Sequence, residues 1–383
     1  MRFALRIGLC LMAALAVATM AQAQNARPGS ALPQTFPQDD TLATRQANAG
    51  TVGVVSGGVD GTYIRIAADL ASVLDDGDKL RVLPMIGKGS VQNTADILRL
   101  RGIDIGIVQG DALTYIEQKN LYPGVQQRIA YVTKLYEEEV HVLARKEITD
   151  LADLANKKVN VDVEGSGTAM TASVLFGILN IPITATHADQ ASALEQLQQG
   201  DVAAVVYVVG KPARLFGTVP ADSGLHFLSI PTPQQLLDVY VPTQLRHADY
   251  PALIPENDAT DTVAVGSVMA VYNWPLGSER YAKVAKFVDA FFSKFPEFQK
   301  PPRHPKWREV NLAADVPGWQ RFPAAQQWLQ RAAIAGNAGG AVQTEFNTFL
   351  VGLGGPLGSL SETQKAALFQ QFLQWERTRG ASQ

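Results

Sequence analysis

Three short stretches of the chain combine glycine with hydroxyl or amide side chains in a way suited to gripping a small ligand. They are Ser56-Gly57-Gly58-Val59-Asp60-Gly61-Thr62-Tyr63, Gly87-Lys88-Gly89-Ser90-Val91-Gln92-Asn93 and Glu164-Gly165-Ser166-Gly167-Thr168. Each follows a β-branched run and precedes a helical pattern. Glycine lets backbone approach a ligand closely, and the first N–H groups of a helix have no partner inside it, so they attract carboxylate or phosphate. Thr62, Ser90 and Ser166 are also placed to be plain helix caps, and for any single junction either role stands. Three such junctions together favour one shared cleft, because ligands of open α/β sheets bind beyond the carboxyl ends of the strands.

Other chemical templates fail. Glycines at 57, 58 and 61 miss the Gly-x-Gly-x-x-Gly spacing of dinucleotide sites, and no phosphate-binding Gly-Lys-Ser/Thr follows. There is no Gly-x-Ser-x-Gly elbow and no His-Glu-x-x-His, and the single cysteine is Cys10. His141, His187, His226, His247 and His304 form no i, i+4 pair for a metal. The acidic run Glu137-Glu138-Glu139 reads as a solvated turn with one inward acid, since neighbours on a strand alternate faces. These residues predict a protein that is not an enzyme, holds no metal and needs no cofactor.

The elements that must position the junctions alternate along the chain. Strands are expected at 51–56, 80–86 and 103–109, with helices at 62–74 and 91–101 between them. The pattern restarts with a strand at 159–163, helices at 168–179 and 192–199, and a continuously apolar strand at 202–209. Such alternation predicts parallel α/β sheet. Strands at 139–145 and 262–272 bracket the second unit, which is the layout of a hinged, two-lobed protein. Beyond Tyr272 the chain turns helical, at 279–295, 324–335 and 362–379, with glycine-rich breaks at 336–340 and 352–358.

Composition agrees. The 383 residues are 46% hydrophobic and carry a net charge of −3, enough apolar content for two domain cores and too little charge for disorder. Lys plus Arg (33) and Asp plus Glu (36) nearly balance, so nothing points to nucleic acid. Arg2 and Arg6, the apolar run 7–20 and the small-x-small end Ala21-Gln22-Ala23 form the parts of a secretory signal peptide. Cleavage after Ala23 would remove both arginines and Cys10, giving an exported chain of charge −5 without cysteine. Residues 24–50 read as a loose leader.

The run SGGVDGTYIRIAADLASVL, then GKGSVQNTADILRLRGIDIGIVQGDAL, then LYEEEVHVLARKEITDLADLANKKVNVDVEGSGTAMTASVLFGILNI resembles the TAXI family. These are the periplasmic solute-binding subunits of tripartite ATP-independent periplasmic (TRAP) transporters. The likeness covers roughly residues 51–272 and rests on Gly61-Thr62-Tyr63, Gly89-Ser90-Val91-Gln92-Asn93, Gln109-Gly110-Asp111 and Gly165-Ser166-Gly167-Thr168 together. It implies an α/β, two-lobed periplasmic binding fold of type II-like form, with two hinge strands and a helical C-terminal extension. One lobe would span 51–140 plus 270–383 and the other 141–265.

The implied function is capture of a small organic acid or amino acid, glutamate- or 2-oxoglutarate-like, for delivery to the transporter's membrane subunits. Gly58, Thr62, Tyr63, Ser90, Asn93, Gln109, Ser166, Gly167, Thr168 and Tyr207 would face the cleft. Lys88 and Lys211 are candidates to pair a carboxylate, or else solvated lysines. Asp111 would meet a ligand amino group or cap the next helix. The long tail, with Trp307, Trp319, Trp328 and Trp375, either packs on the lobes or docks a partner, which leaves a periplasmic sensor or adaptor as the alternative.

Overall fold

The computed structural model describes residue 44 and residues 48–77 and 79–333. The expected signal peptide, most of the leader, the helix at 362–379, both glycine-rich breaks and Trp375 lie outside these residues. All the elements belong to the unit that begins at Gly50.

Among the described residues ten strands form one sheet. In chain order these are β1 (Thr51–Val55), β2 (Arg81–Met85), β3 (Ile105–Gln109), β4 (Ile129–Arg145), β5 (Lys158–Asn160), β6 (Thr184–Thr186), β7 (Ala204–Val209), β8 (Leu225–Phe227), β9 (Val241–Arg246) and β10 (Ala259–Tyr272). The α-helices of more than one turn that lie wholly within the described residues are α1 (Thr62–Leu74), α2 (Ser90–Arg99), α3 (Ala112–Gln118), α4 (Gly167–Ile178), α5 (Gln190–Gln199) and α6 (Glu279–Ser293). The sheet order is β2-β1-β3-β10-β4-β7-β5-β6, with β8 on β4 and β9 on β10. β1 runs parallel to β2 and β3, and β5 parallel to β6 and β7. Long antiparallel strands β4 and β10 join the two parallel groups. This is the two-lobed architecture with two hinge strands.

Strand alternation builds the cores. In β7, Ala204, Val206 and Val208 enter one apolar cluster while Val205, Tyr207 and Val209 enter another on the opposite face. A strand covered on both faces needs an unbroken apolar run rather than an alternating one, which explains the all-buried AVVYVV. The other half of the sheet is covered likewise. On one face, α1 contributes Ile66, Leu70 and Leu74 and α6 contributes Val284, Phe287 and Phe291. On the other, Val91, Ile97 and Ile116 from α2 and α3 pack on Val108 and Ala270.

The described part of the C-terminal extension is core. Trp307 is fully buried among Phe291 and Phe298. Burying a side chain of that size contributes about 2–3 kcal/mol. Trp328 packs on Phe292, and Trp319 donates to the Gly110 carbonyl at 2.7 Å. Residues 320–322 extend the sheet beside β4, with the Phe322 amide donating to the Tyr131 carbonyl at 2.7 Å. A helix begins at 323 and is described to 333.

One expectation is overturned. The acidic run Glu137-Glu138-Glu139 is no turn; it sits inside β4, a strand of 17 residues rather than the seven expected. Opposite it, β10 shifts register between Gly266 and Val268. The Ser267 hydroxyl fills that gap, accepting from the Tyr136 amide and donating to its carbonyl at 2.8 Å. Both faces of β4 are covered there, so alternation leads from one buried side to another rather than to water. Among the described residues no helix is long and apolar enough to cross a membrane.

Candidate functional site

The glycine-rich junctions lie at the carboxyl ends of β1 and β2 and after β5, where helices begin. α1 and α2 start behind Gly61 and Gly89, neither with a side-chain cap. Gly89 has φ +111°, a backbone conformation open to glycine, and turns the chain into α2. α4 differs: the Ser166 hydroxyl oxygen accepts from the Ala169 amide at 3.0 Å, so here the plain capping role is present.

The starts of α2 and α4 touch. The Gln92 amide donates to the Gly165 carbonyl at 3.0 Å. A Cβ on Gly167 would fall 2.5 Å from Gln109 Oε1 and 2.7 Å from Ser90 Oγ, so this contact requires glycine. Nearby, the Thr62 hydroxyl donates to the Gly210 carbonyl at 3.4 Å, and Thr168 Oγ1 accepts from the Val208 amide at 3.1 Å.

A cavity of about 360 Å³ opens between these elements. Such a volume suits a small molecule. Of the expected residues, Gly58, Thr62, Tyr63, Lys88, Gln109, Ser166, Gly167, Thr168 and Tyr207 line it. Four do not. Asn93 is fully buried, its amide nitrogen donating to the carbonyls of Ser56 (2.7 Å) and Ile107 (2.8 Å) and its oxygen accepting from the Gly89 amide. That side chain is used up in holding the β1 and β2 loops together. Ser90 is equally buried and accepts from the Gln109 amide at 2.9 Å. Lys211 is drawn away by Asp249 at 3.3 Å and by the Gln244 carbonyl.

Asp111 neither caps a helix through its side chain nor lines the cavity. Its Oδ2 accepts from the Tyr240 hydroxyl at 3.2 Å and its buried Oδ1 has no partner among the described residues. Burial pushes its pKa up to about 6, against the Tyr240 hydrogen bond.

Five polar side chains line the cavity without having been expected there: Asp60, Glu138, Asp162, Asp189 and Gln190. Glu138 Oε2 accepts from the Tyr63 hydroxyl at 2.6 Å. Burial pushes Glu138 up to about 8, the Tyr63 bond working against that rise and the Glu139 charge adding to it. Glu139 answers to other partners, the Lys306 ammonium at 2.8 Å and the Lys211 amide at 2.8 Å. Asp162 takes φ 69°, a left-handed conformation uncommon outside glycine, and burial raises its pKa to about 6. The signal for Glu138 was present in IAYVTKLYEEEVHVLA, whose apolar and β-branched residues continue on both sides of the acids.

Behind the cavity, His141 is fully buried. Its Nδ1–H faces the carbonyls of Glu139 (2.9 Å) and Tyr207 (3.2 Å), and Nε2 accepts from the Tyr250 hydroxyl at 2.7 Å. Burial lowers its pKa to about 4, so it is a neutral structural imidazole. A larger cavity of about 880 Å³ flanks α4, walled mainly by apolar side chains such as Val91, Met170 and Phe176. Two of its polar lining residues, Glu164 and His187, are exposed, whereas the smaller cavity holds buried, convergent polar groups of the kind that orient a ligand. Among the described residues no group of three or more His, Cys, Asp or Glu side chains is arranged to hold a metal ion.

The chain is thus a two-lobed α/β frame with a polar cavity at its strand ends. The chain belongs to the NMT1-like family, whose model matches residues 54–314. Among solved structures it is similar to one described as a periplasmic transporter, at 12% identity, covering 74% of this chain and 95% of that one, with a TM-score of 0.45. It is also similar to the periplasmic binding protein BugD, at 14% identity over 76% and 97% of the two chains and a TM-score of 0.45. A third is the alkanesulfonate-binding protein SsuA from Xanthomonas axonopodis pv. citri bound to MOPS, at 14% identity over 72% and 81%, with a TM-score of 0.41.

Proposed function

We propose that the protein is an exported periplasmic solute-binding protein of the TAXI type. It captures a small organic acid or amino acid, of the glutamate or 2-oxoglutarate kind, and delivers it to the membrane subunits of a TRAP transporter. The lobes are residues 51–140 with 270 onward, and residues 141–265, and they hinge on β4 and β10.

The observation that carries this reading is the convergence of Gly58, Thr62 and Tyr63 from one side with Ser166, Thr168 and Tyr207 from the other on one cavity. A ligand there meets the uncapped amides at the start of α1 and the hydroxyls of both sides, so binding and closure are coupled: each lobe completes the site of the other. Closure removes water, which strengthens every polar contact to the ligand.

A ligand that binds only the folded protein raises its melting temperature by mass action. Native mass spectrometry of freshly purified protein identifies a co-purified solute, and a thermal-shift panel of amino acids, 2-oxoacids and dicarboxylates tests the class. We expect a saturable rise of several degrees with at least one member. No rise with any of them, and no co-purified small molecule, overturns the reading.

A further inference from the structure

The cavity proposed as the solute site is acidic. Its charged lining residues are Asp60, Glu138, Asp162, Asp189 and a single lysine, Lys88. Lys88 is exposed, and Asp189 is exposed and engaged in capping α5 at Ser192. Of the cations, only Lys306 acts on Glu138, from outside the cavity and while paired with Glu139 and Glu309. Glu138 is 3% exposed and Asp162 is partly buried, yet neither makes an ion pair among the described residues. Asp60, Glu138, Asp162 and Tyr207 line the one cavity, and burial and then these three charges raise the pKa of the Tyr207 phenol.

An independent observation concerns Gln190, the first residue of α5, 5% exposed and lining the same cavity. Its Nε2 donates to the Val206 carbonyl at 3.1 Å, which fixes the amide's orientation and leaves Oε1 buried without a partner among the described residues. Buried acceptors are rarely left unpaired. An acceptor with no donor, beside two acids without an ion-pair partner that a bound cation would return to their charged forms, is a site suited to a positively charged donor.

The geometry points to a ligand bearing a primary ammonium group, which donates to Glu138, Asp162 and Gln190 Oε1, with at most one carboxylate, held toward the uncapped start of α1. That describes a neutral or basic amino acid or a small amine, and disfavours a dicarboxylate or a 2-oxoacid. An ammonium offers three donors to these three acceptors. A keto oxygen or a second carboxylate would set lone pairs or negative charge against them, with Lys88 alone to compensate. The inference rests on the solute-binding reading and departs from its glutamate- or 2-oxoglutarate-like ligand class.

The test titrates the full chain calorimetrically with matched pairs differing at the amine: each amino acid against its 2-oxo counterpart, glutamate against glutarate, and cadaverine alone. We expect the best amine to bind at least tenfold more tightly than its deaminated partner. Glu138→Gln and Asp162→Asn should each weaken the amine at least tenfold without weakening the partner. Asn tolerates the left-handed conformation at 162, and Gln190→Met carries the same comparison should Glu138→Gln not fold. Equal or tighter binding of a 2-oxoacid or dicarboxylate overturns the ammonium assignment and leaves the solute-binding reading standing. So does amine binding indifferent to these substitutions. Failure of every compound in both sets sinks the solute-binding reading and the assignment with it.

Discussion

The Tyr63 hydroxyl donates a 2.6 Å hydrogen bond to Glu138 Oε2, tying the first turn of α1 to the middle of β4. A buried acid is expensive unless something satisfies it, and Tyr63 is the described side chain that does so. Tyr63→Phe should therefore destabilise the protein by about 1–3 kcal/mol. In a double-mutant cycle with Glu138→Gln, much of that loss should appear as coupling between the two positions. Additive effects in chemical denaturation at pH 7 would show that the bond carries no weight.

The same carboxyl sets a pH dependence. Its folded pKa, about 8, lies above the ordinary 4.5, so the folded state holds the proton more tightly than the unfolded chain. Stability from this group is fully present below pH 4.5 and is lost as pH rises through 8. The groups acting on Glu138 are Tyr63, Glu139, Lys306 and Asp111, with Tyr136, Tyr207 and Asp162 close by. Subtracting the Glu138→Gln stability curve from that of the wild type isolates the effect. The difference should fall between pH 5 and 9; a flat difference refutes the assignment.

His141 acts in the opposite sense. Its pKa is lowered to about 4, so the unfolded chain binds the proton more readily, and stability is lost as pH falls from 6.5 towards 4. The loss attributable to this one group amounts to about 3 kcal/mol. Nitrogen-resolved NMR should show a neutral ring protonated at Nδ1 down to about pH 4. A ring titrating near 6.5 would mean that the Tyr250 and backbone contacts are not kept in solution.

Much of this frame is legible in the sequence, and the exceptions share a cause. α1 and α4 begin within a residue of expectation because glycine and hydroxyl residues end a strand and open a helix by local rules. β5 is shorter than expected because Asp162, at φ 69°, breaks the extended chain. Asn93 and Ser90 sit in the right motif but face inward, a direction set by which carbonyls surround them. Glu138 was hidden because three consecutive acids read as a solvated turn with one inward acid, which leaves open which acid turns inward. Whether such acids are buried depends on Tyr63 and Lys306, which lie 75 and 167 positions away from their partners Glu138 and Glu139.

Lys306 tests whether the C-terminal extension is part of the fold or a separate arm. Burial opposes its charge, but Glu139 and Glu309 outweigh that and raise its pKa. Removing one partner of a buried pair leaves the other uncompensated, so Lys306→Met should cost about 3–5 kcal/mol. Adding Glu139→Gln should recover part of the loss. Truncation after Tyr272 deletes Phe287, Phe291 and Trp307 from the core and should leave an unfolded chain by circular dichroism. A folded, ligand-competent truncation product would favour the sensor or adaptor alternative.

The junction of α2 and α4 tests closure. Gly167 brings α4 against Ser90 and Gln109, and the Gln92 amide bonds the Gly165 carbonyl across the same contact. Valine at 167 would drive its Cβ into both side chains, while the face of α4 that packs on β7, through Ala172, Leu175 and Phe176, would be untouched. Gly167→Val should therefore lower stability modestly, by about 1–3 kcal/mol, yet weaken ligand binding at least tenfold by holding the lobes apart. Small-angle scattering with saturating ligand should show the wild type contracting and the variant staying expanded. Wild-type affinity and contraction in Gly167→Val would mean that ligand capture does not depend on this contact.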